Sequence, residues 1–397
     1  MLRILFDIYK VFIIEVQRIF HDGGVILIFF VATLLYPLIF GAIYKNELVR
    51  NLPVAVVDLS RSDDSRRFIK KLDATPELNV QYECGSIAEA AKLMQQRVIN
   101  GIFYFPNDYT GRLNRGETAR VGLFCDMSSF LYYRSVYTGA SAVLVDEMHD
   151  IQLKRYALAG MTGENAEMMV TPLPYNDVKL YSSAGGFTSF LVPALLVLVL
   201  HQTLFLGIGI MGGTARDERL TVELIPERLR GRHIMRVGIG RCLAYLGIYV
   251  PLSGIVLILI PHWFELPQVG KIGDLVLFLL PFLLSTIFFS LTVANFVSHR
   301  DSGIVCSIFF SVVLLFLSGM VWPQCNMPDF WRYFSYLFPY TPASQGFVSI
   351  SSMGSALKEV DFEYSLLWIQ TGVYLLAYCL TTQINNKKLS QPLYNKA

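Results

Sequence analysis

The sequence predicts a membrane all-α protein: six transmembrane helices preceded by an amphipathic interfacial helix, plus a small α/β extracytoplasmic domain. Three observations predict it. The 397 residues are 53% hydrophobic and only 16% charged, against roughly a quarter charged in ordinary soluble domains. Six apolar runs carry no formal charge, and each is long enough to cross a hydrocarbon core about 30 Å thick, which takes about 20 helical residues. Between the first two runs lies a long segment in which short β-branched stretches alternate with charged ones.

Ahead of the first run, residues 1–22 place Leu2, Leu5, Phe6, Tyr9, Phe12, Ile13, Val16 and Phe20 at three- and four-residue intervals, with Arg3, Asp7, Lys10 and Arg18 mostly between them. This spacing gives one apolar helical face, which either lies in the membrane interface or packs on the other spans. The charges also rule out a short secretory core with a small-residue cleavage site, so the first span is expected to be retained.

The runs fall near 23–44, 185–213, 242–264, 275–298, 302–323 and 364–384. Backbone groups in lipid must be satisfied internally, so each is expected to be a helix. Orientation follows from Lys and Arg in the short loops. Arg216, Arg219, Arg228, Arg230, Arg232, Arg236 and Arg241 cluster between the second and third runs, whereas the 262–274 loop has only Lys271. The arginine-rich loop is therefore expected in the cytoplasm. Parity places both termini there too, and puts residues 45–184, 262–274 and 324–363 outside.

Within the outer segment, Val54–Val57, Leu78–Tyr82, Gly101–Phe105 and Arg120–Phe124 read as strands, while Ser62–Leu72 and Ile87–Val98 read as helices. Strands separated by helices of this length suggest a small α/β sheet domain. A helical pattern from about Phe130 to Ala159 follows, and Asn107–Arg115 reads as a loop. Three roles fit such a domain: handling substrate, docking a periplasmic adaptor, or capping the spans. Cys84 and Cys125 both lie in it, each at the end of a predicted strand. A disulfide and two free thiols both remain open.

Several functions are excluded. A net charge of +2, with no basic stretch interleaved with aromatics, argues against nucleic acid. The six cysteines show no CxxC or His/Cys ligand spacing, so a metal site has no support. GxxxxGK[ST], HExxH, GxSxG and SxxK are all absent, which argues against ATP hydrolysis or other catalysis by this chain. The spans are almost free of ionisable groups, and an ion-coupled transporter normally needs them at mid-depth. His201, followed by Gln202 and Thr203, is the exception. It is either a neutral histidine hydrogen-bonded to a neighbouring helix or a substrate contact.

The segment Phe187–Leu195, with Pro193, leads through the second span into Ala215-Arg216-Asp217-Glu218-Arg219-Leu220-Thr221-Val222-Glu223-Leu224. This resembles the type-2 membrane family of ABC transporter permeases, in which a proline-bearing span enters an acidic-basic cytoplasmic turn. Glu218, Thr221 and Glu223 match the family pattern, while Leu220 stands where the pattern has glycine. Ser318-Gly319-Met320-Val321-Trp322-Pro323, then Met327-Pro328 and Phe338-Pro339-Tyr340-Thr341-Pro342, are similar to the family's outer exit elements.

The resemblance implies a permease subunit of the bacterial inner membrane that works as a homo- or heterodimer. It further implies cytoplasmic ATP-binding subunits that hold ATP and magnesium, with no cofactor on this chain, and outward movement of an amphipathic lipid, drug or polymer through surrounding membrane lipid. Coupling would fall in the 214–236 loop to Arg216, Glu218, Arg219, Thr221 and Glu223. Candidate substrate contacts are His201, Gln202, Trp322 and Pro323, with residues 324–363 dipping back as a re-entrant segment. Gly207, Gly209, Gly212 and Gly319 would permit close helix approach, across a dimer or within one subunit. The competing reading is a membrane-anchored binding or assembly protein acting through the outer domain.

Overall fold

The computed structural model describes residues 2–45, 48–174, 178, 180–181, 186–218, 229 and 233–390. Two compact units emerge, a helical unit of residues 1–47 and 179–397, and a sheet unit of residues 48–178. The helical unit opens with α1, Leu2–His21, and α2, Gly23–Ile43. Asp22 separates them, its carboxylate accepting hydrogen bonds from the backbone N–H groups of Gly24 and Val25. An acidic side chain there satisfies otherwise orphaned donors. Helix α2 widens to a π-helical stretch at Leu27–Ala32.

In the sheet unit the order is β1 Leu52–Asp58, α3 Asp63–Asp73, β2 Leu78–Glu83, α4 Ile87–Gln95, β3 Gly101–Phe105, α5 Tyr109–Asn114, β4 Gly122–Cys125, α6 Phe130–Leu158 and α7 Glu164–Val170. The strands pair as β2-β1-β3-β4, parallel except for the last. Parallel neighbours need crossovers, which α3 and α4 supply. Ser62 and Ser65 cap α3 reciprocally.

Alternation along the strands sends Val54, Val56, Phe103 and Phe105 to the face covered by α3 and α6. Ala55, Val57 and Ile102 go to the opposite face, against Ala90 of α4. Helix α6 is pinned at Glu147, which is 1% exposed; Arg67 Nε donates to it at 3.1 Å and Lys71 Nζ lies 2.9 Å away. Burial opposes ionisation of Glu147, but the bonds from Arg67 and Lys71 outweigh it and hold the carboxyl below its ordinary range.

Two sequence expectations change here. Residues 107–115 are not a plain loop, because Tyr109–Asn114 forms α5. Gly111 and Asn114 hide an i, i+4 apolar pair, Tyr109 and Leu113, that packs on the sheet. Cys84 and Cys125 are both free thiols. They follow or end the two edge strands, with two strands between them, and pack on opposite faces.

The helical unit resumes with α8 Phe187–Asp217, then α9 Ile234–Trp263, α10 Ile272–Ala294 and α11 Arg300–Leu317. The short α12 Asp329–Ser335 and α13 Tyr340–Met353 come next, and α14 Asp361–Ser390 closes the unit. Among the described residues, six of its helices, including α2, are long and apolar enough to cross a membrane. In α8 and α10, 72% of the apolar window is buried, against 17–22% in α2, α11 and α14. The core therefore centres on α8 and α10.

Their ends depart from the apolar runs for physical reasons. Helix α9 begins at Ile234 instead of 242 because Arg236 and Arg241, in its first turns, find acidic partners on α1. Helix α11 ends at Leu317 because Gly319 takes a left-handed φ of 88°, a conformation glycine adopts at no steric cost.

Candidate functional site

Side-chain bonds join the end of α8 to the starts of α2 and α11 and to the end of α10, which is bonded in turn to the end of α14. Charged residues at these ends form a collar. Arg216 donates to the carbonyl oxygens of Val297 and Asn295, capping the C-terminus of α10 where a cation is favoured. Asp217 does the reverse for α11: its Oδ2 accepts from Arg300 N at 2.9 Å, and its Oδ1 lies 2.7 Å from His299 Nδ1.

Arg300 then reaches Asp22 through two bonds of 2.6 and 2.9 Å, and Thr214 Oγ1 at 3.0 Å. The bidentate guanidinium is the main reason the Asp22 carboxyl stays below its ordinary value. Asn295 Nδ2 donates to Thr381 and Thr382 at 2.8 and 2.9 Å, which ties in α14.

A second cluster joins α1 to α9. Glu15, 4% exposed, accepts from Tyr245 OH at 2.6 Å and lies 3.3 Å from Arg18 and 3.5 Å from Arg241. Arg18 also donates to the Met211 carbonyl of α8 at 3.2 Å. Asp7 pairs with Arg236 at 3.0 Å. The apolar face read from the sequence is not the one α1 buries: the buried stripe is Val11, Glu15 and Ile19, while Leu5, Phe6, Tyr9 and Phe20 are exposed. Between 218 and 233 only Leu229 is described, and it is buried with Val11 and Val237. Leu229 thereby packs between α1 and α9.

Of the residues singled out in the sequence for coupling, Arg216 sits in the collar and Glu218 caps α8 with its side chain exposed. Arg219, Thr221 and Glu223 lie outside the described residues. Asp217 belongs to the same acidic-basic turn, whereas Asp22, His299, Arg300 and Glu15 were not anticipated. Their signal was charge at the very edges of apolar runs, where an ion has a neighbour on an adjacent helix.

The four candidate substrate contacts lie in different settings. His201 is fully buried among Phe205, Phe289 and Tyr340, with ring centroids 6.1–6.2 Å apart. Neither ring nitrogen has a hydrogen-bond partner among the described residues, so the expected bond to a neighbouring helix is not made. Gln202 Nε2 donates to the Ser307 carbonyl of α11 at 2.6 Å, whereas Trp322 and Pro323 are exposed.

A sealed, unpaired imidazole N–H costs about 1–3 kcal/mol. His201→Phe is therefore expected to raise the melting temperature of the purified chain by a few degrees. A lower melting temperature would mean that the ring nitrogens have partners.

A family model described as ABC-2 family transporter protein matches residues 24–380, from the first turn of α2 into α14. A search of curated proteins gives no match.

Proposed function

Because the chain belongs to the ABC-2 family of transporter proteins, we propose that it is the membrane-spanning subunit of an ATP-driven exporter moving an amphipathic lipid, drug or polymer outward. ATP and magnesium are held by a separate cytoplasmic subunit, and a second permease subunit, identical or related, completes the pathway. In this reading the collar faces the cytoplasm of a bacterial cell, because the arginine-rich sequence 216–241 that begins there belongs on that side by the positive-inside rule. Both termini lie on that side. Helix α1 rests in the inner-membrane interface with Leu5, Phe6 and Tyr9, 57–60% exposed, turned to lipid. The sheet unit is outside, available to an adaptor, and α12 and α13 dip back from the outer surface.

One observation carries the reading. The end of α8, where the 219–232 connection begins, is bonded to α2, α10 and α11 through Arg216, Asp217 and Arg300. A partner that displaced this connection would move four spans together. The near absence of ionisable groups from the apolar runs supports an outside source of energy over ion coupling.

The test is to substitute Glu218 and Glu223 by alanine, singly, in the chain co-purified with its ATPase. Transport is expected to fall about 5- to 150-fold, the range of site-to-site coupling energies, while membrane insertion and basal ATP hydrolysis persist. Wild-type transport in both variants overturns the coupling assignment. Failure of any ATPase to co-purify overturns the exporter reading.

A further inference from the structure

The cover on one face of the sheet is incomplete. Helices α3 and α6 close over β1 and β3, but near β4 a half-open cleft of about 620 Å³ remains, bordered by α5 and by residues 118–121. Phe103 and Leu123, paired across β3 and β4, form its floor; Leu113 of α5 and Leu144 of α6 are also part of its lining. The volume lies within the roughly 300–1,000 Å³ typical of small-molecule sites, which are mostly apolar with a few placed polar groups.

The charged groups here are Arg120, Arg155 and Glu147. Arg120 and Arg155 line the cleft and are exposed. Arg155 donates to the Leu113 carbonyl at 3.2 Å. Among the described residues neither arginine forms an ion pair with a carboxylate; every salt bridge of the sheet unit uses other cations. Glu147 also borders the cleft, but Arg67 and Lys71 neutralise it. An apolar floor beside two guanidinium groups that carry no carboxylate partner among the described residues is complementary to a molecule with a hydrocarbon body and a negative head.

We propose that this cleft binds a single-chain amphiphile with an acidic head, its chain lying on Phe103, Leu123 and Leu144 and its head held by Arg120 and Arg155. The inference goes beyond transport, since binding needs neither ATP nor a partner subunit.

It is tested on the full chain in phosphatidylcholine nanodiscs, with empty nanodiscs as background, by the emission of 11-(dansylamino)undecanoate. Saturable binding above background is expected. Laurate and lysophosphatidate compete to distinguish a carboxylate from a phosphate head, and displacement by either one supports the assignment. Substituting both arginines (Arg120→Gln with Arg155→Gln) should weaken the acidic ligands about tenfold or more, as loss of charged hydrogen bonds does, and leave competition by neutral dodecanol unchanged. Ser141→Trp, at a half-buried α6 position in the cleft wall, should abolish probe binding with the circular dichroism spectrum unaltered.

Equal binding by wild type and the folded Ser141→Trp variant overturns the proposal. So does equal loss of dodecanol and laurate in the arginine variant. A wild type that binds no probe but self-associates through this face, with the association lost in Ser141→Trp, assigns the cleft to a second copy instead.

Discussion

Gly213→Val is expected to destroy the packed helical unit, because there is no room for a side chain where α8 meets α11. A Cβ at Gly213 would stand 2.7 Å from Arg300 Cα, Arg300 N and the His299 carbonyl oxygen. All three are backbone atoms and cannot rotate aside. A Cβ at Gly303, on the facing helix, would stand 2.9 Å from the Gly209 carbonyl oxygen. The two helices thus touch backbone to backbone, the approach that small residues permit in membranes.

Separating them would also break the bonds of Arg300 to Asp217 and Thr214, so the damage reaches the collar. Overpacking alone costs about 1–3 kcal/mol, occasionally more, and the lost bonds add to it. In fluorescence-detected size exclusion after heating, Gly213→Val should give little or no monodisperse protein, and Gly213→Ala a clearly lowered melting temperature. The control is Gly254→Ala, a helical position with nothing within 4 Å of the added atom. It should be neutral or slightly stabilising, since alanine is favoured over glycine in a helix by about 0.5–1 kcal/mol. If Gly213→Val melts with the wild type, the helices do not meet as described.

What the sequence could reveal depended on the range of the cause. The spans were legible because lipid demands about 20 apolar residues in a row, a constraint written locally. The sheet was legible for the same reason, through β-branched runs such as Gly101–Phe105, whose predicted bounds coincide with β3.

Span ends were misjudged where a charge is satisfied from far away. Arg236 opens α9 with a partner, Asp7, 229 residues distant, and Arg300 pairs with Asp22 across 278. No window along the chain contains both members. The glycines divide similarly. Gly209 faces Gly303, Gly212 faces Ala294 and Gly207 faces the Phe29 ring, all within the chain, while Gly319 serves a turn with positive φ. Sequence could mark them as small but could not say what approaches them. His201 shows the same limit, because its polarity drew attention while its setting among three aromatic rings is a tertiary fact.

Removing Glu15 should unfasten α1 from α9. Its side chain is 5% exposed, between Arg18 at 18% and Arg241 at 19%, and it accepts the hydroxyl of the fully buried Tyr245. One carboxylate therefore balances two guanidinium groups and a phenol. Glu15→Ala would leave two cations facing each other and a buried donor without its acceptor. Removing one partner of a buried pair costs about 3–5 kcal/mol.

A large fall in melting temperature is expected, with a smaller one for Glu15→Gln, which keeps the acceptor but not the charge. Adding Arg241→Leu to Glu15→Ala should cost less than Arg241→Leu alone, since it removes one of the two unbalanced cations. The cycle would then show a coupling of about 0.5–3 kcal/mol, as residues in one network do. Asp7→Ala is the contrast, because its pair with Arg236 is 20% and 27% exposed and more exposed ion pairs contribute only about 0–1 kcal/mol. Should Glu15→Ala melt with Asp7→Ala, the apolar contacts of Val11 and Ile19 hold α1, not the buried charge. If it melts far below, the seating of α1 on α9 depends on a single carboxylate. The Arg18–Met211 bond, which ties α1 to α8, would then depend on it too.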